Sequence, residues 1–301
     1  MKREDLIKKL NINIPNNQKN VFLDTDFANE ADDPFAVIHY ILSPSINLVG
    51  IGVEHFNKKN SDSSCDKSYT ELKKMLDIIK LGDDFVYMGS NKPIDLNNII
   101  DNAASLKIIE EAKKGKLYVV TIGALTNLAL ALLKDPSISN NITVIVNGGT
   151  SYLESRAEFN ISQDVEAANV VFDSDCEIIQ IPQNVYNKLE VSLSYLKYEL
   201  KNSSIGNYLY NLVETINIKE YNPNFLLRSG ENWTLGDNAT IGFFLLNRFR
   251  DFCKIVKRPR FNKDGSYNFV DTNKILTLYH DIDSNFILND LFSKIRLVFG
   301  E

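Results

Sequence analysis

From residue 21 to residue 146 the chain alternates, with short connections, between apolar runs of strand length and segments of helical periodicity. Few folds accept that rhythm. Residues 21–25 (VFLDT), 47–54 (NLVGIGVE), 85–88, 117–122 (LYVVTI) and 142–146 read as strands. Residues 33–42, 68–79, 102–114 and 125–133 read as helices, with Pro34 in a first turn, Gly115 stopping one helix and Pro136 ending another. Strands this apolar, each followed by a helix, predict an α/β fold with a mostly parallel central sheet flanked by helices. Ligands of such sheets sit in the loops that follow the C-terminal ends of the strands.

The remainder continues in the same domain. Residues 203–246 read as mainly helical insertions. The last fifty residues read as a short strand region, with an Asp264-Gly265 hairpin signal between 259–262 and 267–270. No internal repeat or low-complexity linker divides the chain, so residues 1–301 are expected to form a single domain. With 33 Lys plus Arg against 39 Asp plus Glu, the formal charge is −6. An acidic chain with no basic tract argues against nucleic acid or an anionic membrane as partner. No stretch approaches a membrane span, and the polar N-terminal segment MKREDLIKKLNINIPNN lacks the apolar run of a signal peptide. Cys65, Cys176 and Cys253 fit neither a zinc spacing nor a disulfide framework, which points to a reducing cytoplasm.

The surplus of carboxylates is unevenly spread. In FLDTDFANEADDPFA, residues 22–36, Asp24, Asp26, Asp32 and Asp33 fall at the end of the first strand and the start of the first helix. Like charges packed so closely repel unless they are solvated or a cation draws them together. Two readings follow: an Asp-rich loop in which Asp32 or Asp33 caps a helix, or an all-oxygen site for a hard ion, Ca²⁺ or Mg²⁺.

The spacing resembles the inosine–uridine nucleoside hydrolase family, and within it a variant branch reading D-T-D-x-G-N-D/E-x-D-D, with Ala28 here in place of the glycine. Three further blocks are similar and in the family's order: TIGALTNLALALLKDP at 121–136, AEFNISQDVEAANVVF at 157–172, and Gly236-Asp237. The resemblance implies the nucleoside hydrolase fold and Ca²⁺-dependent cleavage of the N-glycosidic bond of a ribonucleoside, through an oxocarbenium-like sugar. It makes Asp26 a metal ligand and the general base. Asp33, the carbonyl of Ile122 and Asp237 become further ligands, and Asp24 a supporting residue behind them. Asp32 would accept a ribose hydroxyl, and Glu158 and Asn160 would hold the 5′ side and the ribose hydroxyls. Asn57 would lie near the attacking water, with His55 beside it facing either pocket or core. The family also implies a homodimer or homotetramer acting on a small-molecule nucleoside or nucleoside 5′-monophosphate in base salvage.

Two departures bear on the substrate. Many members carry a histidine before the last metal aspartate, where it helps protonate a leaving purine; here that residue is Gly236. Glu231 and Trp233, just upstream, are candidates for the base pocket, Trp233 by stacking. The loop 148–160 lacks the family's Gly-Asn pair and carries Tyr152, Glu154 and Arg156 instead. Arg156, two residues before Glu158, is either a surface arginine or a partner for a 5′-phosphate. Asn147 is more polar than the family's usual residue. These changes imply a specialised purine-type substrate. One branch releases queuine, a 7-deazapurine, from queuosine or its 5′-phosphate, and an acidic pocket of Glu54, Glu154 and Glu231 would suit its cationic side chain. The competing reading is a non-catalytic nucleoside-binding protein that keeps the metal site.

Overall fold

The computed structural model describes residues 1–14, 17–56, 63–220 and 229–300. Its strands are β1 (Lys19–Thr25), β2 (Ile46–Val53), β3 (Val86–Met88), β4 (Leu117–Thr121), β5 (Ile142–Asn147), β6 (Glu177–Ile181), β7 (Glu190–Ser192), β8 (Asn232–Thr234), β9 (Cys253–Lys257), β10 (Arg260–Phe261), β11 (Tyr267–Asn268) and β12 (Ile275–Tyr279). Eight of them form the central sheet, in the order β3-β2-β1-β4-β5-β6-β12-β9. Every pairing in it is parallel except the last, β12 with β9. The expected architecture is therefore present, with one antiparallel edge strand.

Each strand feeds both faces of this sheet. Val21 and Leu23 of β1 enter one apolar core while Phe22, between them, enters the other. Val120 and Ile145 join the first core, and Val119, Val144 and Val146 the second. Alternating side chains are all apolar because helices cover both faces. Helices Asp33–Ile41, Ser64–Ile78 and Ser284–Phe299 pack on the first face; Ala103–Lys114, Thr126–Lys134 and Val165–Asp173 pack on the second.

The C-terminal expectation needs correcting. The hairpin is there, β10 pairing antiparallel with β11 around Gly265 (φ +85°). The chain then ends in a helix, Ser284–Phe299, rather than in strands. Its buried Ile287, Leu288, Leu291, Phe292, Ile295 and Val298 recur at helical spacing, and Asp283 caps its start by accepting from the Phe286 N–H. The 203–246 segment is only partly helical: Ser204–Glu220 is a helix, residues 221–228 lie outside the described set, and β8 and a 3₁₀ turn at Gly236–Ile241 follow. Among the described residues no helix is long and apolar enough to cross a membrane.

One buried cation ties the sheet edge together. Arg258 follows β9 and donates from Nε to the Ile275 carbonyl at 2.8 Å and from its guanidinium to the carbonyls of Phe172, Ser174 and Cys176 at 3.2, 2.9 and 2.5 Å. Hydrogen bonds from a charged donor are individually strong, and carbonyls left dry are costly. Arg258→Met is expected to destabilise the fold by about 3 kcal/mol. Urea unfolding checks this, and a change within about 0.5 kcal/mol of zero, the range of surface substitutions, would contradict it.

Candidate functional site

Parallel pairing puts the C-terminal ends of β1, β2, β4, β5 and β6 at one edge of the sheet. Residues 26–32 follow β1 there, Ile122-Gly123 follow β4, and Gly148-Gly149 follow β5. The β1 and β4 loops touch closely. A Cβ built at Gly123 would sit 2.9 Å from the Asp26 nitrogen and 3.1 Å from its Oδ1, so glycine is what lets the Asp26 carboxylate lie against the neighbouring loop. The Gly236–Ile241 turn brings Asp237 in from far along the chain.

These elements enclose a small acidic cavity of about 70 Å³. Asp26, Asp32, Asp33, Ile122, Asn147, Glu158, Asn160 and Asp237 all line it, so eight of the residues singled out from sequence share one wall. Carboxylate oxygens of Asp32, Asp33 and Asp237 lie within 4.8 Å of one another, the only such acidic, histidine or cysteine group among the described residues. Asp26 lies beside that trio, and its Oδ2 is buried without a hydrogen-bond partner. Asp33 accepts from the Thr25 hydroxyl, and Asp32 Oδ2 accepts from the Asp237 N–H at 3.3 Å. Asn147 Nδ2 donates to Asp237 Oδ1 at 2.9 Å, leaving Asn147 Oδ1 buried and unpartnered.

Crowding shows in the acidities. Burial first, and the charge of Asp33 second, raise the Asp32 carboxyl to about 7. Burial raises Asp33 to about 7 as well, opposed by its bond from Thr25. Asp26 and Asp237 are pushed well above the ordinary range, by burial and then by the neighbouring carboxylates. Four acids held this way cannot all ionise cheaply without a cation. All the inward donors are oxygens, and one carboxylate oxygen has no other partner. That chemistry fits a hard divalent ion.

The sugar-binding candidates are rigidly held. Glu158 caps the Phe159–Gln163 helix, its Oε2 accepting from the Ile161 and Gly149 N–H groups at 3.1 and 2.9 Å. Tyr186 donates its hydroxyl proton to Glu158 Oε1 at 2.9 Å. Asn160 Nδ2 donates to the carbonyls of Ile122 and Asn147 at 3.2 and 2.9 Å. A second cavity of about 340 Å³ adjoins the acidic one, and Glu30, Asp32, Phe159 and Tyr186 line both. Trp233 on β8 lines this larger cavity, its Nε1 buried and unpartnered.

Other expected residues lie elsewhere. Asp24 turns away from the cavity: its Oδ1 accepts from Asn127 Nδ2 at 2.9 Å, while its carbonyl accepts from the Ile122 N–H at 2.9 Å. Its hydrogen-bonded link to the site runs through that backbone carbonyl. The acidic base pocket of Glu54, Glu154 and Glu231 does not form. Glu54 is fully buried beside Asp24, accepting from the Asn127 N–H, because it closes β2 on an inward-facing position. Glu154 and Glu231 are exposed and line neither cavity. Arg156 is exposed and donates to Gln183 Oε1 at 2.6 Å, outside the cavity wall. His55 is buried against the Thr126 hydroxyl at 3.0 Å, the core placement. Asn57 lies outside the described residues. Glu30 and Phe159 stood inside the quoted motifs without being singled out. Nothing near Tyr186 in sequence marks it, since only the turn after β6 brings it to the wall.

Known proteins resemble this chain in sequence and in fold. The profile of the inosine-uridine preferring nucleoside hydrolases matches residues 21–269. The chain is 27% identical over 199 residues to probable uridine nucleosidase 2 of Oryza sativa subsp. japonica, covering 57% of this chain and 58% of that one. It is 29% identical over 199 residues to probable uridine nucleosidase 2 of Arabidopsis thaliana, covering 57% and 61%. The match thus spans about six-tenths of the length of these curated relatives. Among solved structures, an inosine-guanosine nucleoside hydrolase superposes with a TM-score of 0.75 at 14% identity over 93% of this chain and 99% of its own. A plant nucleoside hydrolase does so with a TM-score of 0.70 at 20% identity, with the same coverage. These likenesses speak for the fold, and the profile, over residues 21–269, speaks for the family. The chain belongs to the inosine-uridine preferring nucleoside hydrolase family.

Proposed function

We propose that the chain is a Ca²⁺-dependent N-ribohydrolase that releases the base of a purine-type ribonucleoside, with queuosine or its 5′-phosphate as the specialised substrate. The observation that carries the reading is the unpartnered, buried Asp26 Oδ2 beside the Asp32, Asp33 and Asp237 carboxylates, next to a cavity large enough for a heterocycle. Asp26, Asp33, Asp237 and the Ile122 carbonyl would hold the ion. When bound, Ca²⁺ supplies charge compensation and Lewis acidity toward water and ribose hydroxyls.

The chain's own groups divide the remaining work. Asp26 takes a proton from water, whose oxygen bonds to C1′ while the glycosidic electron pair leaves with the base. Asp32, the one cluster aspartate that is partly exposed, accepts a ribose hydroxyl. Glu158 and Asn160 hold the sugar's 5′ side, and Asn147 orients Asp237 through its amide. Phe159, Tyr186 and Trp233 give the larger cavity aromatic walls, while Glu30, Glu190 and Asp32 give it carboxylates that suit a base with a cationic side chain. Asp24 supports Ile122 from behind through its backbone bond.

Gly236 is consistent with a 7-deazapurine. A histidine in that place would deliver its proton to a purine nitrogen, and a base with carbon at position 7 has none there to receive it. Such a base departs with its electron pair and takes a proton from solvent. All three histidines are placed elsewhere: His39 is buried against Asp290 and Asn238, His55 against Thr126, and His280 is exposed beyond β12.

The test is direct. The protein is incubated with CaCl₂ and inosine, guanosine, uridine, queuosine and their 5′-monophosphates, and free base is quantified by chromatography. Release from queuosine or its 5′-phosphate, well above that from inosine, is expected. Ligand-dependent thermal stabilisation with no free base after hours would replace hydrolysis by simple binding.

A further inference from the structure

We infer that the chain carries a second small-molecule site, toward the N-terminal ends of the parallel strands, built for a planar aromatic anion. The inference is independent of the ribonucleoside reading above.

The site is a cavity of about 670 Å³, within the range of small-molecule pockets, on the first face of the central sheet. Strand direction gives its position. Lys19 begins β1, Tyr118 is second in β4 and Glu177 begins β6, whereas the aspartates follow the opposite ends of these strands. Ile179 of β6 pairs with Thr277 of β12, and Thr277 with Ile255 of β9, so three adjacent strands contribute one side of the lining. The other side comes from the short helix Gly242–Leu245 and the 3₁₀ turn Phe249–Phe252. There the aromatic side chains hold one another. The Phe243 ring packs against Tyr118, Phe244 and Phe249 with centroids 5.8, 5.1 and 5.0 Å apart, and Phe244 meets Tyr118 edge-on at 5.5 Å. All four rings line the cavity and all four are only half-buried, so they form a preformed aromatic wall with a face left to cover. A further flat ring covers such a wall best, by stacking or edge contact.

Charge gives the class of the ligand. Lys19, Arg250 and Lys254 line the same cavity, and none of the three forms an ion pair with a carboxylate among the described residues. Lys19 donates to the Asn17 side-chain oxygen at 3.4 Å, and the Arg250 guanidinium lies 5.8 Å from the Phe249 ring centre. The one carboxylate in the lining, Glu177, is already engaged by the Thr143 hydroxyl at 2.6 Å and by Lys116 at 3.6 Å. Three uncompensated cations around an aromatic wall, in a chain of formal charge −6, single out an anion, and a carboxylate, sulfonate or phosphate on the ring would pair with them. The larger cavity beside the acidic site has the opposite balance: Glu30, Asp32 and Glu190 line it, with no lysine or arginine. The two cavities would therefore sort aromatic ligands by charge.

Naphthalene-2-carboxylate is the probe, and naphthalene-2-methanol, the same ring without the charge, is its control. Titrated calorimetrically into the full chain in EDTA, the carboxylate is expected to bind one to one with a Kd on the order of 100 μM, and the alcohol several-fold more weakly. Arg250→Gln/Lys254→Gln changes two exposed side chains and keeps the aromatic wall. It should weaken the carboxylate about tenfold and leave the alcohol unchanged. Phe249→Ala should weaken both ligands; if it does not fold, Phe249→Leu takes its place with the same expectation. Trp233→Ala alters the cavity beside the acidic site and should leave carboxylate binding as it is. Loss of binding in Trp233→Ala would put the probe in that cavity and overturn the inference. Carboxylate binding indifferent to Arg250→Gln/Lys254→Gln overturns it too, as does the absence of binding heat up to about 5 mM probe. A chain that sediments as a dimer and becomes a monomer on Ile255→Asp also overturns it, because a second copy then covers this face. None of these readouts needs turnover, so the proposed hydrolysis can fail while the second site stands.

Discussion

Asp26→Asn is expected to lower base release by roughly 10³-fold, the scale of removing a positioned general base, while leaving the fold intact. The substitution replaces one oxygen by NH₂ at nearly constant volume, and Gly123 leaves space for either. It also removes one of the buried charges. Burial and the charges of Asp33, Glu30 and Asp32 all disfavour an ionised Asp26 in the metal-free protein. The chelated variant should therefore melt at or slightly above chelated wild type. With excess CaCl₂ the order should reverse, because the wild type gains an ion that the variant holds poorly. Activity, chelated melting and Ca²⁺-shifted melting together separate a chemical role from a structural one. A fully active Asp26→Asn protein would remove Asp26 from the mechanism. A variant that is inactive but melts far below wild type in chelator would make Asp26 a folding residue instead.

How much of this was legible in the chain depends on whether a residue's neighbours are local. The strand ends and the aspartates after β1 were readable because period and charge density are short-range signals. The Asp264-Gly265 turn was readable because φ > 0 at Gly265 is written in residue type. The final helix reads as strand in the sequence because FILNDLFSKIRLVF mixes β-prone residues with helical spacing, and only its docking on the first face decides the matter. Glu54 and Glu231 show the limit in the site. Both sit beside a motif in sequence, yet one is turned into the core by strand alternation and the other lies exposed beside β8. Tyr186 is the opposite case: 28 residues beyond Glu158, it reaches that carboxylate because β5 and β6 are adjacent parallel strands whose following turns meet. Strand order, which no local pattern encodes, made it a neighbour.

Removing the metal is expected to have a large effect whose size depends on pH in a defined direction. Asp32 and Asp33 have folded-state values of about 7 against an ordinary 3.8. Between roughly pH 4 and 7 the metal-free folded chain binds protons that the unfolded chain has released, so its stability falls as pH rises through that window. A divalent cation competes with those same protons for the carboxylates. Its stabilisation must then be small at pH 5, where the acids are already neutralised, and full at pH 8. At about 100 times its dissociation constant an ion adds about 2.7 kcal/mol, or several degrees of melting temperature for a chain of this size. Titrating CaCl₂ into chelator-treated protein, followed by thermal melting, should give a shift of about 5 °C at pH 8 and under about 2 °C at pH 5. Activity should vanish with chelation at pH 8 and return with Ca²⁺. Equal shifts at both pH values would mean that the ion binds elsewhere, and that the four clustered aspartates are relieved of their repulsion by protons alone.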